Sequence, residues 1–388
     1  MEDFVLADQH SRQMLKSEPA AEEHGGVLIS VIVPTYNERQ NLGHLILAIA
    51  AALANVRWEI ITVDDDSPDG TAAAARAFYA DDARVRTIRR IGRRGLASAC
   101  VEGMLASSAP FVAVIDADLQ HDPALLASML RRLANDEADI VIASRYVAGG
   151  DLGDWSAQRT SASRLATKLA HAVTGVKVRD PMSGYFMLRR EIIDEHAHAL
   201  SSVGFKILLD ILVTAGADAR VLEVPLRFGQ RLHGESKMSA AVTWDYLLLL
   251  ADKAAGGRLP VRFIAFCAIG LTGVGVHFLV LATLLKLIGM RFVAAQAVAT
   301  CISIVSNFTI NNLLTYADRR LRGWRWISGL ASFALICGFG ALANVGVAAW
   351  LFGHQVGWPL AAFAGIAASA VWNYGVSARY TWGPSNGS

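Results

Sequence analysis

The sequence predicts an α/β domain followed by an all-α domain of four membrane-spanning helices. Short apolar runs alternate with helical patterns between residues 28 and 143, which is typical of a mostly parallel sheet covered by helices. Polar residues directly follow several of these runs, at the position where open α/β sheets bind ligands. From about residue 258 onward, four long uncharged stretches each reach the roughly 20 residues needed to cross a bilayer. The chain as a whole is 53% hydrophobic.

Five apolar runs predict the strands of the sheet. They cover residues 28–33, 58–63, 85–89, 111–115 and 140–143. Each run is short and bounded by turn residues, as buried strands usually are. Helical patterns begin at Asn41, Thr71, Gly95 and Pro123. The alternation of the two kinds of element predicts helices on both faces of the sheet.

Three polar loops follow the first, second and fourth predicted strands. They are residues 34–38, 64–69 and 116–120. Because the carboxyl ends of parallel strands meet at one edge of a sheet, we expect these loops to converge. In the third loop, Asp116 and Asp118 are followed by the amide Gln120, and such oxygen ligands suit Mg²⁺ or Mn²⁺ bridging to substrate phosphates. A solvated acidic turn is the alternative, since short acidic motifs are common.

The second loop is a candidate for binding a nucleotide base. One of its acidic residues could accept the imino and amino protons of a base, and the loop after the first strand would complete the pocket. The alternative is a turn with a helix N-cap, formed by Ser67 to Gly70. Gly92–Leu96 lacks the spacing of a P-loop, and no dinucleotide glycine fingerprint is present. Triphosphate hydrolysis and hydride transfer are therefore poorly supported.

The four uncharged stretches predict membrane helices at about 263–285, 292–316, 326–353 and 358–379. Four buried core helices are the weaker alternative, because no polar face is left to cover them. Positive charge is concentrated on one side of the spans, at Arg258, Arg262, Arg319, Arg320, Arg322, Arg325 and Arg379, against Lys286 and Arg291 on the other side. This bias predicts a multi-pass protein of the inner, cytoplasmic membrane with its α/β domain in the cytoplasm.

The predicted organisation has four parts. They are a disordered polar tail (1–26), the α/β domain (27–235), an interfacial helix region (236–257) and the membrane domain (258–388). The tail has no apolar signal segment. The four cysteines form neither a disulfide framework nor a metal motif.

The membrane domain contains an internal repeat. Residues 303–310 align with 369–376, which predicts a parallel duplication of a helical hairpin. Asn307 and Asn373 occupy the same place in the two repeats, and we expect them to hydrogen-bond across helices. A contact of these residues with substrate is the alternative.

Two helical patterns in the polar half have features of membrane-surface helices. The first has Arg164, Lys168 and His171 on one face and Leu165, Leu169, Val173 and Val176 on the other. This pattern is typical of a helix that lies among lipid headgroups. The second covers residues 238–250 and carries Trp244 and Tyr246 at interfacial positions. Ordinary surface helices packed on the core are the alternative for both.

Seven motifs, taken in order, resemble the inverting family 2 glycosyltransferases and, more narrowly, the dolichol-phosphate mannose synthases. The motifs are Val33–Glu38, Asp64–Thr71, Gly92–Leu96, Asp116–His121, Asp180–Phe186, Gly204–Asp210 and Gly234–Lys237. The membrane half is similar to the GtrA-like family associated with translocation of polyprenyl-linked sugars, through Ser306-Asn307-Phe308 and its repeat. The resemblance implies a nucleotide-sugar-binding domain of the GT-A type, which is Rossmann-like.

The resemblance also implies residue roles. Binding of the nucleotide sugar is implied for Pro34, Tyr36, Glu38, Val63, Asp65, Asp116, Ala117, Asp118, Gln120, Lys206, Arg231 and Lys237. Asp116, Asp118 and Gln120 would hold Mg²⁺ or Mn²⁺. The implied catalytic residues are Asp116, Asp118, Arg231 and Lys237. The acceptor phosphate would bind Arg145, Arg159 and Ser163.

The function implied by the resemblance is transfer of a hexose, with mannose from GDP-mannose expected first, to dolichyl or polyprenyl phosphate with inversion. UDP-glucose or another nucleotide sugar is the alternative donor. A lipid-linked sugar flippase with an inactive catalytic half is the alternative of another class. The partners expected are the nucleotide sugar, the lipid phosphate and the membrane, with no nucleic acid.

Overall fold

The computed structural model describes residues 26–78, 80, 82–153, 157–201, 206–229, 240–254, 260–316 and 319–383. The chain divides into two compact units between Gly257 and Arg258. We name residues up to Gly257 the sheet unit and residues from Arg258 the helical unit.

A mixed seven-stranded sheet forms the centre of the described sheet unit. Its strands are β1 (Ile29–Thr35), β2 (Trp58–Asp64), β3 (Val85–Arg89), β4 (Phe111–Val114), β5 (Ile140–Ser144), β6 (Phe186–Arg189) and β7 (Val221–Pro225). Their order across the sheet is β3-β2-β1-β4-β6-β5-β7. β6 runs antiparallel to both neighbours, and the other pairs are parallel. This architecture confirms the predicted α/β fold, in which the five predicted runs are β1 to β5.

Helices cover both faces of this sheet. They are α1 (Arg39–Ala52), α2 (Thr71–Phe78), α3 (Leu96–Leu105), α4 (Leu125–Ala134), α5 (Ala157–Thr174), α6 (Arg190–His196), α7 (Ile207–Ala215) and α8 (Ala240–Ala254). Successive side chains of a strand point to opposite faces. Along β1, Val31 and Val33 therefore belong to the core with α1 and α4, whereas Ile32 belongs to the core with α3 and α7. The two cores hold the sheet from both faces, and the loops that follow the strands are at its edge.

The helix α8 packs against α5 and α7. Its Tyr246 hydroxyl donates to the Ala166 carbonyl of α5 at 2.5 Å, and its Lys253 forms a buried ion pair with Asp210 of α7. Leu247 is nevertheless 45% exposed. The helix α8 therefore packs on the core with one face, as an ordinary surface helix does. It also exposes an apolar side chain, as a membrane-surface helix does.

The described part of the helical unit contains four long helices. They are α9 (Val261–Lys286), α10 (Phe292–Leu313), α11 (Trp324–Gly353) and α12 (Trp358–Val376), and a π-helical turn, Ser377–Thr381, follows the last. All four are long and apolar enough to cross a membrane. Large apolar side chains such as Leu271, Phe278 and Leu279 remain exposed. Such a surface is stable in hydrocarbon, where the backbone groups are satisfied within each helix.

The internal repeat is visible as two hairpins with the same contacts. The Asn307 side chain of α10 packs against Gly273 of α9, and Asn373 of α12 packs against Gly340 of α11. Neither asparagine Oδ1 has a hydrogen-bond partner in the described part of the chain. These two oxygens therefore make no hydrogen bond across helices in the described residues, and the wider expectation for the two asparagines stays a prediction. Each amide instead fills the space that the missing side chain of a glycine leaves on the neighbouring helix.

Replacing Gly103 of α3 with alanine is expected to destabilise the sheet unit by about 1–3 kcal/mol. A Cβ at this position would overlap the Cγ2 atoms of Ile32 and Val63. Both side chains are fully buried, and β-branched side chains are stiff.

Gly43→Ala in α1 is the matched control, because nothing lies within 4 Å of its Cβ position and alanine favours helices. Differential scanning fluorimetry of the purified protein should show a lower unfolding midpoint for Gly103→Ala only. Equal midpoints for the two variants would contradict this packing.

Candidate functional site

A cavity of about 710 Å³ opens where β1, β2 and β4 end. Its polar wall comes from the loops after these strands, and its apolar wall comes mainly from α5 and α8. The residues assigned from the sequence that line it are Pro34, Tyr36, Glu38, Asp65, Asp116, Ala117, Asp118, Gln120, Arg145, Ser163 and Lys206. The three loops expected to converge thus meet in one cavity.

Hydrogen bonds between the first two loops set the shape of this edge. The Asn37 N–H donates to Ser67 Oγ at 3.0 Å, and the Glu38 N–H donates to Thr71 Oγ1 at 3.1 Å. The buried Asp64 carboxylate accepts from the Ser67 N–H at 2.9 Å and from the Ser67 hydroxyl. These residues build the turn, as the alternative interpretation of this segment expected, while the adjacent Asp65 lines the cavity.

Asp65 is held by two donors. Arg90 Nη1 donates to Oδ1 at 2.6 Å, and the Gly95 N–H donates to Oδ2 at 2.7 Å. Burial raises the pKa of Asp65, although both donors favour the charged form. A carboxylate oxygen can accept more than one hydrogen bond, so a ligand N–H can still bind here.

An arginine and a tyrosine form a second contact at this end of the cavity. The Arg94 guanidinium lies 4.8 Å from the centre of the Tyr36 ring, and its Nη1 donates to the Tyr36 hydroxyl at 3.1 Å. Both residues line the cavity. This pair could not be predicted from local sequence, because Tyr36 and Arg94 are 58 positions apart in the chain.

Asp116 and Asp118 follow β4 and lie in the cavity wall. Leu119 has a φ of 61°, a left-handed conformation that residues other than glycine seldom adopt. In this turn the Gln120 N–H lies 3.2 Å from Asp118 Oδ1. Gly229 donates its N–H to the Gln120 carbonyl at 2.8 Å and accepts from Gln120 Nε2 at 3.1 Å. The two carboxylates and the amide therefore share one tightly bonded turn.

Negative charge is concentrated at this wall. Burial, and then the charge of Asp118, raise the pKa of Asp116 above its usual range, while Lys206 and Arg145 oppose the shift. Glu38 adds a further negative charge. The Asp116 side chain is still 36% exposed, so it remains accessible to a ligand. A cation between the carboxylates would relieve their repulsion.

The donor set at this wall fits a hard divalent cation. Carboxylate oxygens of Asp116 and Asp118 and the amide oxygen of Gln120 are the ligand types that Mg²⁺ and Mn²⁺ prefer. Burial, and then the neighbouring Asp118, raise the pKa of Asp116, so a cation bound here would favour the charged form of this carboxylate. Within the described ranges, no group of three or more His, Cys, Asp or Glu side chains is arranged to hold a metal ion. The candidate site therefore consists of two carboxylates and an amide.

Arg145 is fixed by a buried carboxylate. Its Nε and Nη2 each donate to Asp180 at 2.8 Å, and its backbone N–H donates to the same carboxylate at 3.0 Å. Burial opposes the charge of Arg145, but the hydrogen bonds to Asp180 outweigh it and raise the pKa of the guanidinium. The backbone N–H of Asp180 in turn donates to Glu223 at 3.0 Å. The sequence assigned no role to Asp180, which here orients a cavity arginine.

The apolar wall begins next to Arg145. The Ser163 and Tyr146 hydroxyls lie 2.8 Å apart in a hydrogen bond. Beyond them, Leu165 and Leu169 of α5 line the cavity and are 59% and 38% exposed. The cavity thus passes from a polar to an apolar environment within the sheet unit.

Some assigned residues do not take part in the described cavity. Arg231 and Lys237 lie outside the described residues, and so does the side chain of Arg159. The side chain of Val63 is fully buried in the core with α3 and does not line the described cavity, and its assignment to nucleotide-sugar binding stays a prediction.

Two cavity residues without an assigned role lie beside Asp116. They are His121 and Gly184. Burial lowers the pKa of His121 to about 4, so its imidazole is neutral at pH 7. Both residues stand in motifs that carried the resemblance, but their contact with Asp116 arises from the tertiary fold.

Comparison with known proteins identifies similar families for both units of the chain. Residues 30–197 match the family described as Glycosyl transferase family 2, and residues 265–382 match the family described as GtrA/DPMS, transmembrane domain. The chain is 35% identical over 356 residues to the dolichol-phosphate mannosyltransferase of Pyrococcus furiosus, covering 91% of this chain and 99% of that protein. These matches confirm the resemblance drawn from the motifs.

Two further proteins are similar to part of the chain. The polyprenol monophosphomannose synthase of Mycolicibacterium smegmatis is 34% identical, covering 59% of this chain and 88% of that protein. Among solved structures, glucosyl-3-phosphoglycerate synthase from Mycobacterium tuberculosis, in complex with Mn²⁺, UDP-glucose and phosphoglyceric acid, is 20% identical with a TM-score of 0.45, covering 59% of this chain and 80% of that chain.

Replacing Asp180 with asparagine is expected to destabilise the sheet unit by about 3–5 kcal/mol, because it leaves Arg145 buried without its charged partner. Asp194→Asn is the matched control. Its carboxylate is half exposed in an i, i+4 pair with Arg190, and such pairs contribute about 0.5 kcal/mol. Urea unfolding of the purified protein measures the difference. Similar losses for the two variants would contradict the structural importance of the Arg145–Asp180 pair.

Proposed function

The chain belongs to the family 2 glycosyltransferases that carry a C-terminal GtrA/DPMS transmembrane domain, and we propose that it transfers mannose from GDP-mannose to a dolichyl or polyprenyl phosphate. The reaction would depend on a divalent metal and invert the anomeric carbon. One observation carries the proposal: a single cavity joins an acidic wall to an apolar wall. Similarity over 91% of the chain to a dolichol-phosphate mannosyltransferase supports mannose as the sugar and a dolichyl-type phosphate as the acceptor.

The donor base would bind at the end of the cavity that Asp65 lines. Guanine offers imino and amino donors on one edge, which suit a carboxylate acceptor. Pro34, Tyr36 and Glu38, from the loop after β1, line the same end. Arg94, held against the Tyr36 ring, adds a cationic donor there.

The diphosphate would lie at the acidic wall, where Asp116, Asp118 and Gln120 would hold Mg²⁺ or Mn²⁺. When bound, the cation supplies positive charge that stabilises the departing nucleoside diphosphate. Lys206 lines the same cavity and adds positive charge near Asp116. For Arg231 and Lys237, the resemblance implies contacts with the diphosphate, and this role remains part of the proposal.

The acceptor phosphate would bind Arg145 and Ser163, with Arg159 as a further candidate. Because Asp180 already fixes Arg145, little side-chain entropy is lost when the phosphate binds. The phosphate is an anion, so its oxygen can attack without a general base. As the new bond from this oxygen to the sugar carbon forms, the bond to the diphosphate breaks and its electron pair leaves with the nucleoside diphosphate. Attack from the side opposite the leaving group inverts the carbon.

The lipid chain of the acceptor would leave the cavity along its apolar wall. Leu165 and Leu169 of α5 and Leu247 of α8 line this wall and are partly exposed. Transfer of their apolar surface from water to lipid is favourable. The chain is a multi-pass membrane protein, and its arginine distribution supports a cytoplasmic position for the sheet unit.

The test is transfer of labelled mannose from GDP-mannose to polyprenyl phosphate in membranes that contain the protein, with Mn²⁺ or Mg²⁺ added. We expect label in an organic-extractable, mild-acid-labile lipid, and loss of transfer with a chelator. UDP-glucose is assayed in parallel. Transfer from UDP-glucose alone would overturn the proposed donor, and no lipid product from either sugar would overturn the proposed reaction.

Asp118→Ala is expected to reduce this transfer by at least about 100-fold, because a metal ligand is lost. Asp122→Asn is the matched control, since Asp122 is exposed and its cap to the Ala124 N–H at 2.9 Å survives in asparagine. The rate is measured under saturating donor with both variants purified and folded. Full activity in Asp118→Ala would show that the metal assignment is wrong.

A further inference from the structure

Gly184 lies against the Asp116 carboxylate. A Cβ built on this glycine would overlap Oδ2 of Asp116 and lie 3.0 Å from its Cγ. The backbone of Gly184 does not adopt a positive φ, so conformational freedom does not explain a glycine here. The explanation is space, because the carboxylate occupies the volume that any other side chain would fill.

His121 is a second neighbour of the same carboxylate. Its Nδ1 lies 4.0 Å from Asp116 Oδ2, and its side chain is 4% exposed. The ring is wedged between Tyr185 and Phe228, with centroids 5.4 Å from each. In the described part of the chain, Nδ1 has no hydrogen-bond partner. Buried polar atoms are nearly always paired, so this atom requires an explanation.

We propose that His121 and Gly184 are positioning residues for Asp116. Gly184 leaves room for the carboxylate, and His121 Nδ1–H donates to it when Asp116 takes up a divalent cation. A movement of about 1 Å brings Nδ1 and Oδ2 to hydrogen-bond distance. This inference rests on the proposed function, in which Asp116 is a metal ligand, because it gives two neighbours of Asp116 a role in orienting that ligand.

A side chain that binds a metal ion is usually oriented by a hydrogen bond from a second residue that does not bind the metal. The carboxylate has enough lone pairs to accept from His121 and still bind a cation in the cavity. Packing between Tyr185 and Phe228 fixes the direction of the imidazole. Arg145 is less suited to this task, since Asp180 already accepts from two of its side-chain nitrogens.

The test measures Mn²⁺ binding to the purified full-length protein by electron paramagnetic resonance, without donor or acceptor. His121→Phe keeps a ring in the same place but removes the hydrogen-bond donor, and it should weaken Mn²⁺ binding by about 10–100-fold. Gly184→Ala should weaken binding by a similar factor, because its methyl group displaces the carboxylate.

Two amide variants separate hydrogen bonding from packing. In His121→Asn the amide nitrogen takes the place of Nδ1, and most of the affinity should return. In His121→Gln the amide reaches the place of Nε2 instead, and affinity should stay low. If His121→Phe does not fold, the comparison of these two variants decides the question.

Gly43→Ala and His44→Phe on α1 are the matched controls, and both should bind Mn²⁺ as the unaltered protein does. Nothing lies within 4 Å of the Cβ position of Gly43, and His44 is exposed. Circular dichroism and unfolding midpoints establish that each variant is folded.

Each outcome separates the inference from the proposed function. Unchanged affinity in His121→Phe, or equal losses in His121→Asn and His121→Gln, would overturn the inference. Mn²⁺ binding that depends on His121, in a protein that transfers no mannose, would overturn the proposed function alone. An unaltered protein that binds neither Mn²⁺ nor Mg²⁺, with GDP or without it, would overturn both.

Discussion

The burial of two neighbouring carboxylates at the end of β4 is the constraint on which the site depends. Asp116 and Asp118 share a partly buried wall, where charge is costly without a counter-ion. The left-handed Leu119 and the hydrogen bonds between Gln120 and Gly229 hold the turn in this unfavourable arrangement. Strain and unbalanced charge of this kind concentrate at functional sites. A bound cation would stabilise the charged forms of Asp116 and Asp118. It would also place positive charge beside a phosphate of the donor.

Much of this architecture could be predicted from local sequence. The strands β1, β2 and β4 are short apolar runs that end abruptly in polar residues, and parallel topology then brings their ends together. The convergence of Asp65 with Asp116 follows from topology once the strands are known. The membrane helices were equally predictable, because length and lack of charge identify them without knowledge of their partners.

Features that depend on tertiary contacts could not be predicted in this way. β6 has four residues and enters the sheet antiparallel between β4 and β5, which no local periodicity marks. Asp180 meets Arg145 across 35 positions of sequence. Gly184 is a glycine because of the carboxylate it faces, and Asn307 packs on Gly273 because that glycine leaves a gap. In each case the reason for the residue lies on another element.

The most direct measurement of the central claim is the position of Mn²⁺, located by anomalous X-ray scattering in crystals of the full-length protein with GDP. We expect one ion at about 2 Å from oxygens of Asp116 and Asp118 and from a diphosphate oxygen. An ion bound elsewhere, or a diphosphate bound with these two side chains turned away and no ion between them, would contradict it.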